Sequence, residues 1–113
     1  MNKRDTLLGL TTGSAPPDYV PAAFFLHFDP AYQQGQPAID KQLEFFRHTG
    51  MDLVKIQYEQ KPPPYSIRSP ADWAGAPRCS EAYFETTIQV VRGLVKAVKS
   101  EALVILTLYS PFM

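Results

Sequence analysis

Residues 52–59 read Asp-Leu-Val-Lys-Ile-Gln-Tyr-Glu and alternate strictly, with Val54, Ile56 and Tyr58 on one side and Lys55, Gln57 and Glu59 on the other. A period of two specifies a β-strand with one apolar and one polar face. The segments before and after it carry helical periodicity, and strands alternating with helices form parallel sheets covered on both sides. A polar row inside such a sheet needs a cavity. The closed parallel barrel supplies one: outward residues pack on helices, inward residues line the lumen, and residues at the carboxyl ends of strands face the active site. Glu59, last in the strand, stands at that mouth.

The rest of the chain supplies partners for this strand. Residues 2–10 form a short helix with Leu7 and Leu10 on one side and Gly13 as its stop, placed to plug one end of the sheet. Residues 20–28 are the expected first strand, with Ala23, Phe25 and His27 on one face, and Asp29-Pro30 ends it. A helix over 38–49 follows, its buried stripe made by Ile39, Leu43 and Phe46, and Gly50 stops it. Pro62, Pro63, Pro64, Pro70 and Pro77 keep residues 61–78 irregular, while Tyr65, Ile67 and Trp73 favour an ordered loop beside the site. Ser80 caps a helix over 81–100, whose expected buried stripe is Phe84, Ile88, Val91, Val95 and Val98. Residues 102–109 are a continuous apolar run, the pattern of a third strand buried on both faces.

The fold class is therefore α/β: about three strands and their helices, forming the N-terminal portion of a TIM (β/α)8 barrel, with 1–113 as a fragment of a single domain. Eleven Lys plus Arg balance eleven Asp plus Glu without a basic run, which argues for a small-molecule substrate and against nucleic acid or an anionic membrane as partner. No apolar stretch approaches the roughly 18 residues of a membrane span. The amino end lacks an export signal, and the single Cys79 forms no internal disulfide, so a cytoplasmic location is expected. The rival organisation is a small non-catalytic α/β binding or assembly module that pairs through its exposed strand edge.

The strand ends gather the candidate site: His27 and Asp29 from the first, Gln57, Tyr58 and Glu59 from the second, Tyr109 and Ser110 from the third. Glu59 is the candidate catalytic group, able to act as general base, hold a cation or accept ligand N–H bonds. A lumen ion pair between Lys55 and Glu59 is the structural alternative. His27 and Asp29 share a face but are too few for a zinc centre, so no metal site is assigned within the chain, and His27 has a structural reading too. His48 complements a helix C-terminus. Cys79 reads as a loop thiol. No phosphate-binding glycine loop, G-x-S-x-G, CxxC or HExxH is present.

Asn2-Lys3-Arg4, Pro17-Asp18-Tyr19-Val20-Pro21, Leu26-His27-Phe28-Asp29-Pro30, Met51-Asp52-Leu53-Val54-Lys55-Ile56 and Leu106-Thr107-Leu108-Tyr109-Ser110-Pro111-Phe112, in that order and spacing, resemble the uroporphyrinogen decarboxylase superfamily. The resemblance implies the amino-terminal third of that family's barrel, with activities ranging from cofactor-free porphyrinogen decarboxylation to zinc-dependent methyl transfer on corrinoid or thiol carriers. In the decarboxylases an M-R-Q-A-G-R stretch after strand one holds substrate carboxylates; here the region is Phe25-Leu26-His27-Phe28-Asp29-Pro30, without arginine. The decarboxylases' F-S-D acid, which engages pyrrole N–H groups, falls on Glu59. Missing arginines disfavour a substrate with eight carboxylates and point to the methyltransferase branch. That branch implies a tetrapyrrole or methyl-carrier substrate, a corrinoid protein as partner, and zinc held by residues outside this chain.

Overall fold

The computed structural model describes residues 2–57 and 59–109, a mixed α/β arrangement built on a parallel pair of strands. Strand β1, Val54–Ile56, pairs with β2, Val104–Leu106, in the register Val54 opposite Val104, Lys55 opposite Ile105 and Ile56 opposite Leu106. Helix α3, Glu81–Val98, connects them on one face, and α2, Gly35–Thr49, packs beside it. Helix α1, Lys3–Thr12, and 3-10 helices of one turn at Pro30–Tyr32 and about two turns at Pro70–Gly75 complete the order of elements.

The helix boundaries follow from local chemistry. The Asn2 side-chain oxygen accepts the Asp5 N–H at 2.8 Å and starts α1, while Gly13 ends it in the left-handed region at φ 72°. Gly50 does the same for α2 at φ 67°, donating its N–H to Phe46 O. Lys3 then fastens α1 to that turn: its ammonium donates to Gly50 O at 2.7 Å and Met51 O at 2.5 Å and lies 5.0 Å from the Phe46 ring centroid. The Arg4 N–H donates to Glu101 O. Because residues 50–51 lead into β1 and Glu101 leads into β2, α1 closes the amino end of the sheet, as its place in the sequence predicts.

Ala38, Phe46, Met51, Val54, Ile56, Val90, Leu94, Val98 and Ala102 form the buried core, with Ile39, Leu43 and Phe45 half-buried against it. The α2 stripe is thus close to expectation. The α3 stripe agrees in part: Val98 is buried and Val91 packs on the core as expected, but Val90 and Leu94 complete the inner face, whereas Phe84, Ile88 and Val95 are exposed. Helix α3 is apolar over more than one stripe, and contact with the sheet and α2, not apolarity alone, selects the inner one. Gly93 marks the α2 contact, since a Cβ there would stand 2.2 Å from Ile39 Cδ1.

Two strand expectations also change. Residues 20–28 form no ladder; Asp52 N–H donates to Ala22 O at 2.9 Å, and the Asp52 carboxylate accepts the Ala22 N–H at 2.7 Å. Even so, the contacts Ala22 to Asp52, Phe25 to Lys55 and His27 to Glu59 advance together along both segments, so 20–28 runs beside β1 in the same direction. Strand β2 is half-buried with Ile105 exposed, so it is not buried on both faces, because no second layer covers it among the described residues. The chain exposes 8185 Å² with a radius of gyration of 17.4 Å. A compact monomer of this size has about 6,200 Å² and about 13 Å. Much apolar surface therefore stays open, including Phe24, Leu26, Trp73 and Leu108.

Candidate functional site

Both strands point their carboxyl ends the same way, and β1 stops at Ile56, short of the expected 52–59, so Lys55 lies within it while Gln57 and Glu59 follow beyond its carboxyl end. Lys55 reaches across to β2's continuation, its ammonium 2.6 Å from Thr107 Oγ1 and 5.3 Å from the Phe25 ring centroid. Gln57 is only 6% exposed and donates its amide to the Tyr109 hydroxyl. Glu59 turns the other way and meets His27, with Nδ1 at 3.0 Å from one carboxylate oxygen and 3.2 Å from the other. One row of side chains thus ties three neighbouring segments together.

The anticipated ion pair between Lys55 and Glu59 is corrected by this geometry. Each side chain pairs across segments instead: Lys55 with Thr107 and Glu59 with His27.

The His27 to Glu59 contact has chemical consequences. A carboxylate accepts from Nδ1–H, which fixes the imidazole tautomer and leaves Nε2 as a free acceptor able to take a proton. The His27 side chain is 63% exposed and that of Glu59 22% exposed, so the histidine faces outward and the carboxylate lies deeper. The Phe25 ring meets the imidazole edge-on at 5.7 Å and limits its rotation.

Among the other anticipated site residues, Asp29 starts the Pro30–Tyr32 turn, its carbonyl accepting the Tyr32 N–H at 2.8 Å. Its carboxylate makes no hydrogen bond or ion pair among the described residues, so it does not join His27. Tyr58 and Ser110 lie outside the described residues. Among those described, no group of three or more His, Cys, Asp or Glu could hold a metal ion, and these side chains alone do not make a zinc centre. Cys79 is exposed in its loop.

Beside Glu59 opens a small cleft of about 50 Å³, walled by the end of β1, the first half of α3 and the turn at 33–34. Gln33, Gln34, Gln57, Gln60, Thr86 and Thr87 supply its polar lining. Gln33 donates its amide to Phe28 O at 2.8 Å, and Gln60 donates to Tyr83 O while accepting the Thr87 hydroxyl at 3.3 Å. Of this wall the sequence points to Gln57 and not to Gln33, Gln34, Gln60, Thr86 or Thr87. Isolated glutamines and threonines carry no spacing motif, and the hint available was the clustering of Gln33, Gln34, Gln57 and Gln60 near turns and a strand end.

The loop over 61–78 is ordered through Asp72, as its aromatic residues suggest. The Asp72 carboxylate accepts the N–H groups of Arg68 and Ser69 at 2.7 Å each, and Tyr65 donates its hydroxyl to Asp72 O. Those backbone donors hold the Asp72 carboxyl below its usual value. Burial, then the nearby Asp52 carboxylate, pushes the Tyr19 phenol above its usual value. No helix among the described residues is long and apolar enough to cross a membrane. No protein-family model, curated protein or solved structure matches the chain.

Proposed function

We propose that this chain forms the first strands and helices of a (β/α)8-barrel enzyme of the uroporphyrinogen decarboxylase superfamily, in its methyl-transfer branch. Glu59 is the acidic group at the barrel mouth and His27 its partner. The carrying observation is the Glu59 carboxylate held against His27 at the carboxyl end of β1, beside Gln57 and Tyr109. The parallel pairing of β1 with β2 through α3, and the parallel course of 20–28, support the barrel reading. Open apolar flanks on α3 and β2 are the surfaces that further strand and helix units cover in a closed barrel.

In this reading Glu59 accepts hydrogen bonds from the substrate and fixes the His27 tautomer, while His27 Nε2 takes or returns a proton at the reacting end. The site offers no arginine to bind a polycarboxylate, which favours a methyl carrier, with a corrinoid protein as partner, over a porphyrinogen. The test is a pair of assays on the intact protein: methyl transfer from a methylated corrinoid to a thiol, and carbon dioxide release from a porphyrinogen. Glu59→Gln is expected to lower methyl-transfer kcat/KM by about 100-fold, the scale of a lost acid–base or orienting group, with an unchanged melting temperature. Absence of both activities, or full activity in the variant, would overturn the reading.

A further inference from the structure

The cleft beside Glu59 is uneven in its charge. Gln33 and Gln60 each commit one amide N–H to a backbone carbonyl, and Gln57 commits one to the Tyr109 hydroxyl. Each of these glutamines keeps a second N–H as well as its oxygen, so the wall can donate or accept, and the Glu59 carboxylate gives the lining its charge. Thr86 and Gln34 can rotate to donate or accept. Among the described residues no lysine or arginine lines the cleft, and the Lys55 ammonium is held by Thr107. An anion entering here would face a carboxylate and amide oxygens with no cation to offset them, at a desolvation cost it could not recover. A guanidinium or primary ammonium, which has only donors, matches the Glu59 carboxylate and the glutamine oxygens. At about 50 Å³ the cleft has room for one small polar group, such as a single guanidinium or ammonium, and not for a whole drug-sized molecule.

We propose that this cleft binds the cationic nitrogen group of the substrate, a guanidinium or primary ammonium seated between Glu59 and the glutamine wall. The proposal rests on Glu59 as the acidic group of the site and adds the charge class of what that group recognises. His27, on the other side of the carboxylate, is left at the reacting end, so recognition and proton transfer are divided between the two faces of Glu59.

The experiment is a titration of the ¹⁵N-labelled protein followed through its glutamine side-chain amide signals, with methylguanidinium, inorganic phosphate and glycerol as probes. Methylguanidinium is expected to shift the Gln33, Gln57 and Gln60 signals saturably with Kd of about 1–10 mM, the range of so small a ligand. Phosphate and glycerol are expected to leave them in place. Glu59→Gln should weaken binding about tenfold, the effect of one lost charge-assisted hydrogen bond, and Glu59→Asp should keep it within about threefold. If Glu59→Gln fails to fold, Gln33→Met removes a neutral acceptor and is expected to weaken binding about threefold. No shift with methylguanidinium, equal shifts with phosphate, or undiminished binding in both Glu59→Gln and Gln33→Met would each overturn the proposal. Because binding is read without turnover, cation binding in a protein lacking methyl-transfer activity would reject the enzyme assignment and leave the ligand class standing.

Discussion

His27 Nδ1 stands 3.0 Å from a carboxylate oxygen of Glu59, joining residues 32 apart in sequence. The contact requires Nδ1 to carry the proton when the imidazole is neutral. Long-range ¹H–¹⁵N correlation of the histidine ring is expected to show the Nδ1–H tautomer in the wild type and a shift toward the Nε2–H form, the commoner one for a free imidazole, in Glu59→Gln. With the His27 side chain 63% exposed, the pair contributes little to stability, on the scale of surface ion pairs at roughly 0–1 kcal/mol. An unchanged tautomer would show that Glu59 does not orient the ring.

Lys55 makes the stabilising contact that Glu59 does not. Its hydrogen bond to Thr107 Oγ1 at 2.6 Å ties β1 to the segment following β2. Lys55→Met removes both the donor and the ammonium over the Phe25 ring, and is expected to cost about 1–3 kcal/mol in denaturant unfolding, the weight of a charged hydrogen bond with its cation–π contact. Thr107→Val should cost less, because the ammonium left behind is partly solvated. The double variant should fall short of the sum of the two; strict additivity would show that the bond contributes nothing.

Gly93 sets how closely α3 approaches α2. Alanine gains up to about 1 kcal/mol of helix propensity over glycine, but its Cβ would meet Ile39 Cδ1 at 2.2 Å and Cγ1 at 3.0 Å. Overpacking of this kind costs about 1–3 kcal/mol, so Gly93→Ala is expected to be net destabilising by up to about 2 kcal/mol. Ile39→Val deletes the Cδ1 methyl, so in that background the same substitution should be neutral or stabilising. Urea midpoints of the four proteins measure the coupling, and equal effects in both backgrounds would mean the helices are not in contact there.

The legible parts of the fold were those written in local sequence. Gly13 and Gly50 stop their helices because a left-handed terminus favours glycine, and the alternation of 52–59 places β1, which stops at Ile56. Partner choice was not legible. Lys55 and Glu59 look paired on one face, yet their true partners, Thr107 and His27, are set by the register of segments distant in sequence. The phase of α3 was legible only in part for a related reason: Phe84 and Ile88 are as apolar as Val90 and Leu94, and the choice between them is made by what lies against the helix. Residues 20–28 were placed correctly beside β1, but backbone pairing did not follow, with Pro21 lacking an N–H and no neighbour on the outer side among the described residues.

The loop carrying Trp73 should respond to acid through one carboxylate. Asp72 holds the loop by accepting the Arg68 and Ser69 N–H groups, and those bonds lower its pKa beneath the ordinary 3.8. A depressed carboxylate favours the closed loop above its unperturbed pKa, and the preference is lost as pH falls through the lowered value. The loop is therefore expected to stay closed from neutral pH to about pH 4 and to open below it. Trp73, the single tryptophan, reports this through its fluorescence, and proteolysis near Arg68 should rise in parallel. Asp72→Asn still accepts one hydrogen bond but loses the charge, so its loop should already be loosened at neutral pH and show no transition in the acid range. A wild-type transition that persists in Asp72→Asn would assign the acid response to another group.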